Sequence, residues 1–392
     1  MTDFLRHPGI DQNFLRQYRF DEEQFLQISE RIKAGTLSSR SSIFEGEIAA
    51  ENSAKEIDWR NLEHTKLGLD SLRNGNVALF VLNGGMATRF GNVVKGTVEV
   101  FDRKSFLLLK AEDVRYSQDE LGATIPFVMM NSFATKEATL THFQENSFFG
   151  LSEDDIYSYE QSISLRMNPD GTLYLDDSGK PSYHSPGHGD FFAGLRASGV
   201  MTALRNRGCK YILFSNVDNL GATIEPAIIG SHISSGCSMT AELTERRQNS
   251  QGVWDKGGAP ALADGRSQLL EGFRFPADFD RGLLPDFSTN NFIFTLEDID
   301  RPLTLPRHIV EKNVNGSDVL QIESITCEVS GIYENGQQVI DVNYLRVPRE
   351  GARGRFFPVK SRQDLEDMRP LLKERLATGR LLRQQTIAAN PQ

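Results

Sequence analysis

The chain has 392 residues, 39% of them apolar and 24% charged, with a formal net charge of −10. At about 100–200 residues per domain this is two units or one large one, able to bury about three quarters of its unfolded surface without staples. The composition excludes a disordered chain, the acidic balance argues against nucleic-acid binding, and no apolar run nears the ~20 residues that cross a bilayer, so no membrane partner is expected.

Met1-Thr2-Asp3-Phe4-Leu5-Arg6-His7-Pro8 has no apolar core of a secretory signal, so none is expected. The first stretch, 1–75, reads as helical and polar; Phe25, Ile28 and Ile32 fall on one helical face, and the segment is expected to pack on a later core without chemistry of its own. At Val77 the texture changes. Val77–Leu82 is a continuous apolar run between turn residues, and similar runs follow at Ile125–Met130, Tyr211–Phe214 and Asn291–Leu296. Such runs predict strands buried on both faces. Helical stretches are predicted between them at Ser105–Gln118, Thr135–Glu145 and Phe191–Arg205. This alternation predicts an α/β core over 76–300 with a largely parallel central sheet, whose ligands sit beyond the strands' carboxyl ends. Residues 301–392 are expected to complete the catalytic unit: short strands or irregular structure at Val319–Val329 and Gly331–Val347, then a final helix from Ser361 to about Leu376, with Leu365, Met368 and Leu372 buried and a polar end after it.

Cys209, Cys237 and Cys327 are scattered and odd in number, which suits a reducing cytoplasm and gives no zinc spacing. The chemistry-bearing segments follow the apolar runs. After the first comes Leu82-Asn83-Gly84-Gly85, with Arg89 and Lys95 downstream. Glycines there let backbone N–H groups approach phosphate oxygens, although a glycine pair after a strand is by itself more often a tight turn. After the third comes Ser215-Asn216-Val217-Asp218-Asn219. Asp218 is well placed to hold Mg²⁺, and equally to cap a helix. Pro186-Gly187-His188-Gly189-Asp190 precedes a predicted helix, and a lone histidine such as His188 is more often structural than catalytic.

Together these segments resemble the UDP-glucose pyrophosphorylase (UTP–glucose-1-phosphate uridylyltransferase) family, to which UDP-N-acetylhexosamine pyrophosphorylases are related. Leu82–Gly85 is similar to its LNGG start, Lys95-Gly96-Thr97-Val98-Glu99-Val100 to its KSVIEV-like continuation and Met130–Phe133 to MNSF. Gln161-Ser162 resembles FxQS, Pro186–Asp190 PGHGD, Ser215–Ala222 NxDNLGA and Asp255–Gly258 DVKGG. Leu270-Glu271 resembles LLE, Phe287–Asn291 FNTNN and Phe357–Lys360 FLPVK.

The resemblance implies a Rossmann-like nucleotidyltransferase fold that forms a UDP-sugar and pyrophosphate from UTP and a sugar 1-phosphate. Glucose 1-phosphate is the expected sugar; N-acetylglucosamine 1-phosphate, galactose 1-phosphate or a cyclitol phosphate are alternatives, as is a non-catalytic nucleotide-binding regulator. It implies catalytic roles for Lys95, Lys360 and Arg89, and nucleotide contacts from Gly84, Gly85, Gln161, Gly187, His188 and Asp218. Sugar contacts would come from His188, Asn219, Gly257, Glu271 and Asn290, and Asp218 would hold Mg²⁺. The segment Met86-Ala87-Thr88-Arg89-Phe90-Gly91 departs from the LGTSMG-like form of plant and animal enzymes, and Asn92 replaces a family lysine. No C-terminal β-helix is expected after Lys360, and hence a monomer, with a dimer through another surface as the alternative.

Overall fold

The computed structural model describes residues 7–87, 90–91, 93–249 and 251–390. Its central element is an eight-stranded sheet. The strands, in chain order, are β1 (Lys55–Glu56), β2 (Val77–Leu82), β3 (Phe127–Asn131), β4 (Ile156–Glu160), β5 (Tyr211–Asn216), β6 (Met239–Glu245), β7 (Asp286–Thr295) and β8 (Val342–Arg346). They lie side by side in the order β1-β8-β6-β7-β5-β2-β3-β4. β7 runs antiparallel to both its neighbours, and every other adjacent pair is parallel. The expectation of a largely parallel sheet therefore holds, with one reversed strand in the middle.

Alternate residues of one strand serve opposite faces. Val77, Leu79 and Val81 join a core with helices α3 (Leu62–Arg73), α4 (Phe106–Leu121), α8 (Pro226–Ser235) and α10 (Arg362–Ala388). Ala78 and Phe80 face the other way, onto α6 (Phe191–Ala197) and α7 (Val200–Asn206). This two-sided burial is why the strands read as unbroken apolar runs. Helix α5 (Lys136–Glu145) follows β3, and the one-turn α9 (Leu296–Ile299) follows β7.

Helices α1 (Gln12–Gln17) and α2 (Glu22–Lys33) pack elsewhere. Leu15, Tyr18, Phe25, Ile28 and Ile32 form a separate cluster with Ile163, Leu165 and a hairpin made by His308–Val314 and Ser317–Glu323. The first 75 residues also contain strands: Ile48–Ala50 pairs with Ala259–Ala263, and β1 edges the main sheet.

Two helices differ from expectation. The stretch expected as one helix over Phe191–Arg205 is two, because Gly199 turns left-handed (φ 81°) between them. The last helix runs 27 residues to Ala388 rather than stopping near Leu376. Its continuation is held by Arg383, almost fully buried, which pairs with Asp113 of α4 at 2.6 Å.

Candidate active site

The parallel strands end in register. Asn216 of β5 sits beside Leu82 of β2, Leu82 beside Met130 of β3, and Asn131 beside Glu160 of β4. The residues that follow these ends converge on a cleft of about 390 Å³, lined among the described residues by Gly84, Gly85, Lys95, Gln161, Gly187, His188 and Asp218. Arg89 lies outside the described residues.

On one wall, Gly84 follows β2. A Cβ there would lie 2.4 Å from Gln161 Oε1, so only glycine lets the loop press against that amide. Gln161 in turn donates through Nε2 to Gly187 O at 3.0 Å, joining the end of β4 to the Pro186–Asp190 loop. Gly187 has φ 85°, and a Cβ on it would meet Ser324 O at 2.4 Å. The loop is thus bent against the Ser324 backbone, with Gly189 N donating to Ser324 O at 2.9 Å.

His188 is anchored by Thr326. Its Nδ1 lies 2.8 Å from Thr326 Oγ1 and 3.3 Å from the Thr326 backbone N–H, and Thr326 Oγ1 donates to His188 O at 2.7 Å. Desolvation pushes the His188 pKa down to about 4, only partly opposed by Glu328, so the ring is neutral at pH 7. It can donate a hydrogen bond but brings no charge.

On the opposite wall Lys95 and Asp218 form an ion pair, their side chains 20% and 13% exposed. Asp218 sits on the loop that leaves β5, and a buried lysine that the sequence reading passed over braces this loop. Lys110 of α4 donates to Ser215 Oγ at 3.1 Å, Asn219 O at 2.8 Å and Ala222 O at 3.0 Å, using all three of its protons. Burial lowers its pKa to about 7. The signal was present in the sequence as a single lysine inside Leu107-Leu108-Leu109-Lys110-Ala111. Glu323, also unanticipated, lines the cleft from the hairpin.

Three residues expected in the sugar site form a neighbouring group. Ser288 N at the start of β7 donates to Gly258 O at 2.9 Å, and a Cβ on the adjacent Gly257 would strike the Phe287 ring. Glu271 borders Gly258, and its Oε1 accepts from Gly272 N at 2.8 Å. Desolvation raises the Glu271 pKa. Asn290, left-handed at φ 57°, donates through Nδ2 at 3.0 Å to Asn216, which lines the cleft. This joins the sugar-side group to the cleft.

Two residues expected at the site do not line the cleft. Asn219 is 2% exposed and faces away from the cleft: it donates to Asn291 Oδ1 at 3.0 Å and to Arg355 O at 3.1 Å, and accepts from Phe357 N at 3.0 Å. Its amide is consumed in fastening the Arg355–Phe357 segment, so it has no group left for a sugar. Lys360 is exposed and does not line the cleft; its backbone N–H donates to Asp364 Oδ2 at 2.9 Å at the start of α10.

The arrangement offers backbone amides and a lysine to phosphates, a carboxylate to a hard cation, and an amide with a glycine loop to a planar base edge. The model of the UTP–glucose-1-phosphate uridylyltransferase family matches residues 23–381. A probable UTP–glucose-1-phosphate uridylyltransferase of Schizosaccharomyces pombe is 28% identical over 355 residues, covering 83% of this chain and 67% of that protein. UTP–glucose-1-phosphate uridylyltransferase 2 of Dictyostelium discoideum is 30% identical over 304 residues, covering 74% of this chain and 57% of that protein. In structure, the UDP-glucose phosphorylase of Trypanosoma brucei superposes with a TM-score of 0.71 at 24% identity, covering 88% of this chain and 78% of that one, which shows a shared fold. With the model matched over nearly the whole chain and the motifs gathered at one set of strand ends, the chain belongs to the UTP–glucose-1-phosphate uridylyltransferase family.

Proposed function

We propose that the chain, acting as a monomer, joins UTP to glucose 1-phosphate, forming UDP-glucose and pyrophosphate. The observation that carries this reading is the convergence of Gly84 and Gly85, the Lys95–Asp218 pair and the Gln161–Gly187 contact on one cleft at the strand ends. Family membership and the names of the relatives supply the sugar.

In the reaction, a phosphate oxygen of the sugar phosphate attacks the α-phosphorus of UTP. A new P–O bond forms as the bond from the α-phosphorus to the bridging oxygen breaks, and pyrophosphate leaves with that electron pair. A phosphate monoester, with second pKa near ~6, is already largely dianionic at neutral pH, so no side chain need remove a proton. This suits a neutral His188. What the chain contributes is alignment and charge neutralisation. The Gly84–Gly85 amides and Lys95 hold the triphosphate. Gln161 and the Gly187 backbone hold the uracil edge, and Glu271 and Asn290 stand ready for sugar hydroxyls.

Asp218 fits a Mg²⁺ that shares its shell with phosphate oxygens: it is a hard oxygen donor facing the cleft, and no group of three or more His, Cys, Asp or Glu gathers among the described residues to form an all-protein cage. When bound, Mg²⁺ supplies charge neutralisation and Lewis acidity. Asp218 would hold the cation, and Lys95, now paired with Asp218, would be free to hold phosphate.

The test is a pyrophosphate-release assay crossing four nucleoside triphosphates with a panel of sugar 1-phosphates. UTP with glucose 1-phosphate should be the best pair. Preference for ATP or GTP, or for an N-acetylated sugar, would overturn the substrate assignment.

A further inference from the structure

The N-terminal segment, expected to have no chemistry, reaches the base side of the cleft. Arg19, just after α1, has φ 52°, a left-handed conformation that a long side chain keeps only where its surroundings hold it. Two sets of bonds hold it. Tyr18 O accepts the Ile163 N–H at 3.0 Å. The Arg19 guanidinium donates through Nη2 to Glu160 O at 2.7 Å and to Asp190 Oδ2 at 3.3 Å. Glu160 directly precedes Gln161, and Asp190 closes the loop that carries Gly187 and His188.

Asp190 joins these two elements. Its side chain is only 5% exposed, and it also accepts from Ser162 N at 2.7 Å and from Ser162 Oγ at 3.0 Å. Burial raises the Asp190 pKa, and Arg19 is the largest opposing influence, with Arg307 a weaker one. One carboxylate therefore ties the end of β4 to the Pro186–Asp190 loop, and Arg19 supplies its counter-charge from outside the sheet.

We infer that Arg19 is a positioning residue for nucleotide recognition, holding the Gln161 amide and the Gly187–His188 backbone at the spacing that reads a uracil edge. This rests on the uridylyltransferase reading above. The Gln161–Gly187 hydrogen bond spans the same two elements that Arg19 clamps, so any slip between them breaks it. Removing the guanidinium leaves a buried carboxylate without its charge partner. The loop relieves that cost by moving Asp190 toward water, and base register is lost. The phosphate contacts of Gly85 and Lys95 and the sugar-side group around Glu271 lie on other elements and stay.

The experiment titrates UTP calorimetrically into wild type, Arg19→Met and Arg19→Lys, alongside steady-state kinetics and melting curves. Arg19→Met should weaken UTP binding by about 10- to 100-fold, the scale on which a displaced positioning group acts. KM for UTP should rise in step, with KM for glucose 1-phosphate unchanged. Arg19→Lys keeps the charge without the planar fork, and should recover part of the loss. Unchanged UTP affinity in Arg19→Met, or equal loss for both substrates, overturns the inference. If Arg19→Met does not fold, Arg19→Lys carries the test with the same readout: UTP weakened and glucose 1-phosphate unaffected supports it, both or neither affected overturns it. Wild-type protein that binds no UTP would instead overturn the functional reading.

Discussion

Lys95 and Asp218 pair with each other on one wall of the cleft, and each is partly exposed. The pair lines an open cleft, where a partner left alone can be rehydrated, so it contributes little to folding. Lys95→Ala should therefore lower kcat by roughly 10²–10³, the scale of losing one preorganised charge-stabilising donor, and leave the melting temperature nearly unchanged. Asp218→Ala should nearly abolish turnover for a different reason, the loss of the carboxylate proposed to hold Mg²⁺, and activity in wild type should vanish in excess EDTA. Turnover that survives EDTA would count against a metal role for Asp218. A large fall in melting temperature for Lys95→Ala would make that lysine structural. Asn219 and Lys110 show the limit of reading single residues. Asn219 sits inside a motif of binding residues, yet its amide is spent on the Arg355–Phe357 segment. Lys110 sits inside an apolar helix, yet it braces the loop that presents Asp218. Which way a polar side chain points depends on which carbonyls lie within reach, and those come from distant parts of the chain.

At the scale of elements, α10 shows how a buried charge extends a helix. Leu365, Leu372 and Leu376 pack on the sheet as an apolar stripe. One helical repeat beyond Leu376, the same stripe carries Arg383, which reads as a solvent-facing polar end until Asp113 and Ser117 of α4 are found opposite it. Asp113 also accepts the Ile224 N–H at 2.8 Å, so this pair connects the last helix to the segment that follows the Asp218 loop. Arg383→Met should destabilise the fold by about 3–5 kcal/mol, since it leaves Asp113 buried with its charge unpaired. Urea unfolding measures this, and a loss below about 1 kcal/mol, typical of an exposed pair, would show that the pair is not truly desolvated. The break between α6 and α7 is the opposite case: Gly199 lies in plain view in the sequence, but its left-handed turn has meaning only with Phe191 and Leu204 both pressed onto the same sheet face.

Over the whole molecule, three histidines are held neutral by burial. His184 has its pKa lowered to about 3, and His188 and His232 to about 4, in each case chiefly by desolvation. In the unfolded chain they titrate near 6.5. Between 6.5 and 4 the unfolded state binds protons that the folded state refuses, so stability is full above pH 6.5 and is lost as pH falls toward 4, with a slope of up to about 1.4 kcal/mol per pH unit for each histidine. Urea midpoints at pH 7 and pH 5 measure the loss. His232 lies away from the cleft, with Nδ1 2.8 Å from Thr240 Oγ1 and Nε2 3.1 Å from Thr295 Oγ1, so His232→Gln isolates one share of it. The variant should show a smaller difference between the two pH values; an unchanged difference would mean that His232 titrates alike in both states.

The sequence by itself determined the α/β class, the four apolar runs that became sheet strands and the segments that follow them. These features are local: a strand buried on both faces must be apolar along its length, and a loop that approaches phosphate must be rich in glycine. The tertiary structure decided the rest. It alone reversed β7 so that Asn290 meets Asn216, turned Asn219 from the cleft, left Lys360 exposed, and brought Arg19 across 171 positions of chain to Asp190. Each of these depends on the partner that a polar group finds once its hydration is stripped away, and that partner is set by how the sheet brings remote segments together.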